Sequence, residues 1–195
     1  MNATGIGAKE VAGDEDVYPV RGAVRRVENT HHSNFRHLND GYLIPAQKDN
    51  NGHPTGTVFI VPRNDDIRYV GSIMQPYNYQ LENLSADSPE FQIMWNQASD
   101  FMPSVQRARF VNEYPFAKGL RPFTKKNAKV RADEEAPFPL VHNYGHGRSG
   151  WMLSIGTARC TLYILEELLN GLEKKEMDKT EAEGINKTIY GPPSA

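Results

Sequence analysis

Val141-His142-Asn143-Tyr144-Gly145-His146-Gly147-Arg148-Ser149-Gly150-Trp151 is the most informative stretch of the chain, and Gly156 closes it ahead of a long apolar-periodic segment. Read physically, it is a short buried strand over Leu140-Val141-His142, a loop holding three glycines, and then a helix. Such a loop lets backbone N–H groups approach a ligand with no Cβ in the way, and a helix N-terminus favours electron-rich or anionic groups. The plainer reading is a tight strand-to-helix turn whose glycines serve packing alone, and spacing does not separate the two. His142 and His146 do not read as metal ligands. Gly145 breaks the helix that would place them on one face, and no carboxylate or third ligand stands nearby. The pair His31-His32, in a polar stretch, reads as solvated.

Downstream, a helix is predicted to begin near Thr157. Ala158, Leu162, Leu165, Leu169 and Leu172 form one stripe, which Ile164 and Leu168 widen, so its first three turns are expected to be buried. Beyond Leu172 the run Glu173-Lys174-Lys175-Glu176 predicts a charged, disordered tail over 173–195. Upstream, Asn2-Ala3-Thr4-Gly5 reads as the end of a buried strand entering a turn. Val17 to Glu28 alternates as a half-buried strand does. Asn29 to Gly56 is polar, broken by Tyr42-Leu43-Ile44-Pro45, and reads as a long hairpin or exposed insertion. Val58 to Pro62 and Ile67 to Ile73 predict an antiparallel hairpin. Ser88 as N-cap, Pro89 and Glu90 open a helix that buries Phe91, Met94, Trp95, Ala98 and Met102 and stops at Pro103. Further strands are expected over Val105 to Tyr114 and Lys125 to Asp133, flanking Gly119-Leu120-Arg121-Pro122.

Composition narrows the function. The 195 residues are 38% hydrophobic and 24% charged, with 22 Lys and Arg against 24 Asp and Glu, a formal charge of -2. That balance argues against a nucleic-acid binder, which gathers a basic excess. No run approaches the roughly 20 apolar residues of a spanning helix, so no membrane partner is expected. One cysteine excludes an internal disulfide and fits a reducing compartment. With no secretory pattern at Met1 and an end, Gly191-Pro192-Pro193-Ser194-Ala195, unlike a peroxisomal Ser-Lys-Leu address, the expectation is cytoplasmic.

The segment Leu140 to Gly156, His-Asn-Tyr-Gly-His-Gly-x-x-Gly followed by five residues and Gly, resembles the C-terminal signature of the D-amino-acid oxidase family of FAD-dependent oxidases. Other segments agree in order. Asn2-Ala3-Thr4-Gly5-Ile6 resembles the family's strand beside the flavin, and Pro19-Val20-Arg21-Gly22 the strand that follows. Val58-Phe59-Ile60-Val61-Pro62 with Val70-Gly71-Ser72-Ile73 resembles its hairpin, and Gly119-Leu120-Arg121-Pro122 its Gly-x-Arg-Pro stretch. The resemblance spans roughly residues 1 to 172 and implies an α+β chain. It would hold an antiparallel substrate-binding sheet plus the C-terminal strand and helix of an incomplete FAD-binding domain. The implied parts are a strand and turn over 1–15, the substrate-binding domain over 16–139, the signature loop and helix over 140–172, and the tail.

The resemblance implies FAD as cofactor and roles for particular residues. Arg121 would pair bidentately with a substrate carboxylate. Gly147, Arg148, Ser149, Gly150, Trp151 and Met152 would wrap the flavin ring, and Ile6 would touch it. Phe59 and Arg148 would border the substrate. The sequence also departs from the family. Phe59 stands where a tyrosine is usual, and the other active-site tyrosine position falls near Thr55. Arg148 replaces a glycine, Met152 a hydroxyl donor and Ser72 the second hairpin glycine. No strand leads into a Gly-x-Gly-x-x-Gly turn and helix, so the phosphates of FAD have no predicted cradle here. These features imply the C-terminal half of a flavoenzyme starting at an internal Met, with a homodimer or partner chain supplying the rest. The alternatives are a redox-neutral dehydratase, isomerase or cyclase reusing the cleft, or a non-catalytic truncated paralogue.

Overall fold

The computed structural model describes residues 1–30, 37–46, 56–64 and 66–189. Two compact units divide the chain: Tyr18–Pro122, and Met1–Val17 with Phe123–Ala195.

The Tyr18–Pro122 unit is built on a five-stranded sheet. Its strands are β1 (Val17–Glu28), β2 (Tyr42–Ile44), β3 (Val58–Pro62), β4 (Ile67–Pro76) and β5 (Phe116–Thr124), ordered β2-β3-β4-β1-β5. The β2–β3, β3–β4 and β4–β1 pairings are antiparallel. Alternation along each strand sorts the side chains onto two faces. Val27, Val58, Ile60 and Val70 form one buried cluster with Ala98, while Ala23 and Ile73 form another with Phe91 and Met94. Both clusters lie against helix α2 (Pro89–Phe101), which opens and stops where the sequence predicts. Ser88 occupies its N-cap position but makes no side-chain cap bond. Its hydroxyl instead accepts from the Ser85 N–H at 2.9 Å. On the same face Arg21 ties β1 to the start of α2, donating to Gln75 at 2.6 Å and pairing with Glu90 at 3.3 Å. The Arg25 guanidinium lies over the rings of Phe91 and Phe110 at 4.6 and 4.7 Å. Such stacking compensates a cation that burial removes from water.

Two expectations for this unit are corrected. Val105 to Tyr114 is not a strand: Pro103–Arg107 forms a 3-10 turn and only Phe110 bridges to Val27. Pro103 at its first position favours helical φ, and the turn buries Val105 without a ladder. Gly119-Leu120-Arg121-Pro122 lies inside β5, not between strands. Pro122 is tolerated because β5 is the last strand of this sheet, paired on one side with β1. Tyr42–Ile44 joins the sheet, whereas His31-His32 and Thr55 lie outside the described residues.

In the other unit β6 (Lys129–Ala132) pairs antiparallel with β7 (Val141–Tyr144). The expected strand over Lys125 to Asp133 therefore shortens to four residues. Asn2 is not part of a strand of its own; it bridges β7 in parallel, its N–H donating to Val141 O and its carbonyl accepting from Asn143 N, both at 2.8 Å. A 3-10 turn (Gly5–Gly7) and a short helix α1 (Ala8–Val11) follow. Ala8, Val17 and Tyr144 form a small core with Ile6 packed against it.

The long helix α3 runs Gly150–Ile189, and two predictions fail there. It starts seven residues before Thr157, because the 3-10 turn Gly147–Ser149 passes directly into it. It also continues through the charged segment expected to be disordered. Only one strip faces inward, with Thr161 buried and Ile164, Leu165 and Leu168 half-buried. Leu162, Leu169 and Leu172 are 59, 46 and 41% exposed. A two-stranded ribbon covers one side of a helix, so the all-round apolar pattern exceeds what this unit can bury.

Candidate active site

The sheet face turned away from α2 carries one candidate region. Gly71 and Gly22 lie on that face with their missing side chains taken up by neighbours. A Cβ on Gly71 would stand 2.7 Å from the Phe59 ring and 2.8 Å from Val24. A Cβ on Gly22 would stand 1.5 Å from Nη1 of Arg121. Gly22 and Val24 share a face by alternation, so Phe59 and Arg121 occupy the same face, each laid flat over glycine backbone. Nothing larger than glycine fits at residue 22 while Arg121 keeps this position.

Arg121 is half-buried and its Nη1 has no hydrogen-bond partner among the described residues. Burial pushes the guanidinium below its ordinary range, and an arginine side chain keeps its charge in a protein. A desolvated cation with an open donor is a receptor for a carboxylate. Phe59 adds a flat apolar wall but no hydroxyl, so the carboxylate tyrosine implied by the resemblance has no counterpart at this position.

The other unit carries a separate candidate region. Between β7 and α3 the loop turns at Gly145 (φ +83°) and Gly147 (φ +56°), left-handed positions that favour glycine. Added Cβ atoms would meet Thr124 at 2.5 Å and the Phe123 ring at 2.7 Å. These glycines therefore allow both the turn and close packing on the end of β5. Gly147–Ser149 make a 3-10 turn leading into α3, whose first N–H groups have no intrahelical acceptors. Arg148 is exposed, and Trp151 and Met152 are 92 and 80% exposed, side by side at the helix start. His146 Nε2 is buried without a partner among the described residues, and burial lowers the imidazole below its usual range. Ile6 points into the small core with Ala8, Val17 and Tyr144.

Sequence reasoning missed what the nearby polar residues do. Asn2 Oδ1 accepts from the Thr4 N–H at 3.1 Å and the Thr4 hydroxyl at 2.8 Å. Its amide nitrogen must then donate to His142 Nδ1 at 3.3 Å, which leaves His142 Nε2–H to donate to Asp133 at 2.9 Å. His142 thus clamps the N-terminal segment to β7. That bond holds the Asp133 carboxyl below its usual range. Asp14 accepts from the Tyr144 hydroxyl at 2.7 Å and pairs with Lys129 at 2.6 Å. Burial alone would raise its pKa, but the bonds from Lys129 and Tyr144 together hold it below the ordinary carboxylate value. Among the described residues no group of His, Cys, Asp and Glu is arranged to hold a metal ion.

The residues present fit one end of FAD. Exposed helix N-terminal donors beside Trp151 and Met152 suit a flat electron-rich ring. The phosphate end finds no counterpart among the described residues, since Gly5–Gly7 leads into a four-residue helix with no strand before it.

The family model described as "FAD dependent oxidoreductase" matches residues 1–164, and the chain belongs to that family. It is 26% identical to the D-aspartate oxidase of Homo sapiens over 172 residues, 88% of this chain and 45% of that protein. It is 32% identical to the D-amino-acid oxidase of Rubrobacter xylanophilus over 161 residues, 81% of this chain and 43% of the relative. The chain thus spans less than half the length of these relatives. Its fold resembles the glycine oxidase of Bacillus cereus, with a TM-score of 0.64 and 21% identity over 85% of this chain and 42% of that structure. Among the described residues, no helix is long and apolar enough to cross a membrane.

Proposed function

We propose that this chain contributes the substrate-binding sheet and the flavin-ring side of an FAD-dependent oxidase acting on a carboxylate-bearing amine. The observation that carries the reading is Arg121, a half-buried guanidinium with an open donor over Gly22. It would clamp the substrate carboxylate and thereby fix which face of Cα is presented. The chemistry supplied by FAD when bound is two-electron acceptance: hydride leaves Cα, the amine loses a proton to become an imine that water hydrolyses to an oxo acid, and dioxygen takes the electrons. The helix N-terminus at Gly150 would stabilise negative charge gathered on a ring placed there. The domains follow the same division, with the substrate sheet in the middle of the chain and the flavin side at its two ends.

The phosphate cradle of FAD would come from polypeptide beyond these residues, as in a partner chain. The apolar face of α3 formed by Trp151, Met152, Ile155 and Leu162 supports that reading, being 92, 80, 70 and 59% exposed. A redox-neutral enzyme reusing the cleft is favoured by Phe59, which removes a carboxylate-binding hydroxyl. Anaerobic addition of D-aspartate, D-alanine and glycine to the flavin-loaded protein tests the proposal. One of these should bleach the flavin; turnover that persists after flavin removal would favour the redox-neutral enzyme and overturn the proposal.

A further inference from the structure

A second cation-bearing cavity lies on the same sheet face as Arg121. Arg26 follows Gly22 by four residues on β1, about 13 Å along a strand, so one small amino acid does not span both arginines. Arg26, Tyr69, Tyr114, Phe116 and Lys118 line the cavity, whose volume is about 570 Å³, within the size range of small-ligand sites. Tyr69 is the direct cross-strand partner of Arg26.

The guanidinium is aimed by its own hydrogen bonds. Arg26 Nη1 donates to the carbonyls of Glu113 and Tyr114 at 3.2 and 3.1 Å. Its Nε is buried and has no partner among the described residues. The Nε edge is the side on which a guanidinium takes a carboxylate with two parallel bonds. The Lys118 ammonium is held by the Leu81 and Leu84 carbonyls at 2.6 and 3.1 Å on the α2 side, so Arg26 supplies the positive charge here, and among the described residues no acidic side chain lines the cavity. An independent observation points to the same place. Tyr114 holds a left-handed backbone (φ +56°) that disfavours a residue with a Cβ, yet its ring is 77% exposed. The strain is not repaid by burial of that ring, and strain of this kind collects where geometry is put to use.

We propose that this cavity is a binding site for a small aromatic carboxylate, distinct from the Arg121 site. The carboxylate lies on the Arg26 fork and the ring between Tyr69 and Tyr114. Phenylacetate is the probe, followed by calorimetry and by NMR on the purified chain. Wild-type protein binds it, and the uncharged phenylacetamide binds at least tenfold more weakly. In the Arg121→Met background, where the other carboxylate receptor is removed, phenylacetate still binds and Arg26→Gln weakens it at least tenfold. Because Arg26 also holds the Glu113–Tyr114 backbone, Tyr114→Gly provides a second test. Glycine suits φ +56°, so that variant keeps or raises the thermal midpoint while binding weakens severalfold. Absence of binding to wild type at millimolar probe, or binding lost in Arg121→Met but kept in Arg26→Gln, overturns the site. Neither result bears on whether Arg121 serves an oxidase.

Discussion

Arg121→Met separates recognition from folding. Methionine approximates the volume that lies over Gly22 but removes the charge, so carboxylate binding falls by about 2–5 kcal/mol, on the order of thirtyfold to several thousandfold. Stability moves the other way or not at all, since the variant removes a buried donor that has no partner among the described residues. Calorimetric titration with a D-amino acid, beside a thermal melt, measures both. A normal affinity removes Arg121 from the site. A thermal midpoint lowered by more than about 5 °C, roughly 1–2 kcal/mol for a chain of this size, assigns Arg121 to structure instead.

The second large effect is on stability. Asp14 joins the segment before β1 to β6 through Lys129 and to β7 through Tyr144. Asp14→Ala leaves the Lys129 ammonium and the buried Tyr144 hydroxyl without their acceptor, a loss of about 3 kcal/mol. The pH dependence has a defined sign. The Asp14 pKa is lowered on folding, so its stabilisation is fully present above the unfolded carboxylate pKa of about 4 and is lost as pH falls through the folded value. Denaturant melts in the wild type should show stability falling with acid over that range. Asp14→Ala should be less stable at neutral pH and flatter against acid. Equal slopes in the two proteins would show that the carboxylate does not carry this effect.

Local chemistry was legible in the sequence where it was also decisive for structure. The hairpin Val58 to Ile73, the helix opened by Ser88-Pro89-Glu90 and the strand at Val141 all follow from alternation, capping and apolar spacing. Arg121 stood out only through its Gly-x-Arg-Pro surroundings, because no periodicity reveals that its guanidinium lies over a glycine ninety-nine residues earlier. The α3 error has a different cause. Apolar residues around a whole helix predict burial, but burial needs surrounding structure, and β6 and β7 supply only one layer. Val105 to Tyr114 misled for a third reason: its β-prone residues follow Pro103, and the 3-10 turn buries Val105 before a strand can form. The networks around His142 and Asp14 link residues 140 and 130 positions apart, so no local signal announces them.

Flavin binding rests on the loop from Gly145 to Met152 meeting the ring, and a visible-absorption titration of purified protein with FAD and with riboflavin tests that most directly. Ring contact predicts that the flavin bands shift and sharpen with both ligands, because the described residues offer nothing to the phosphates. Spectra that stay those of free flavin at every protein concentration would contradict it.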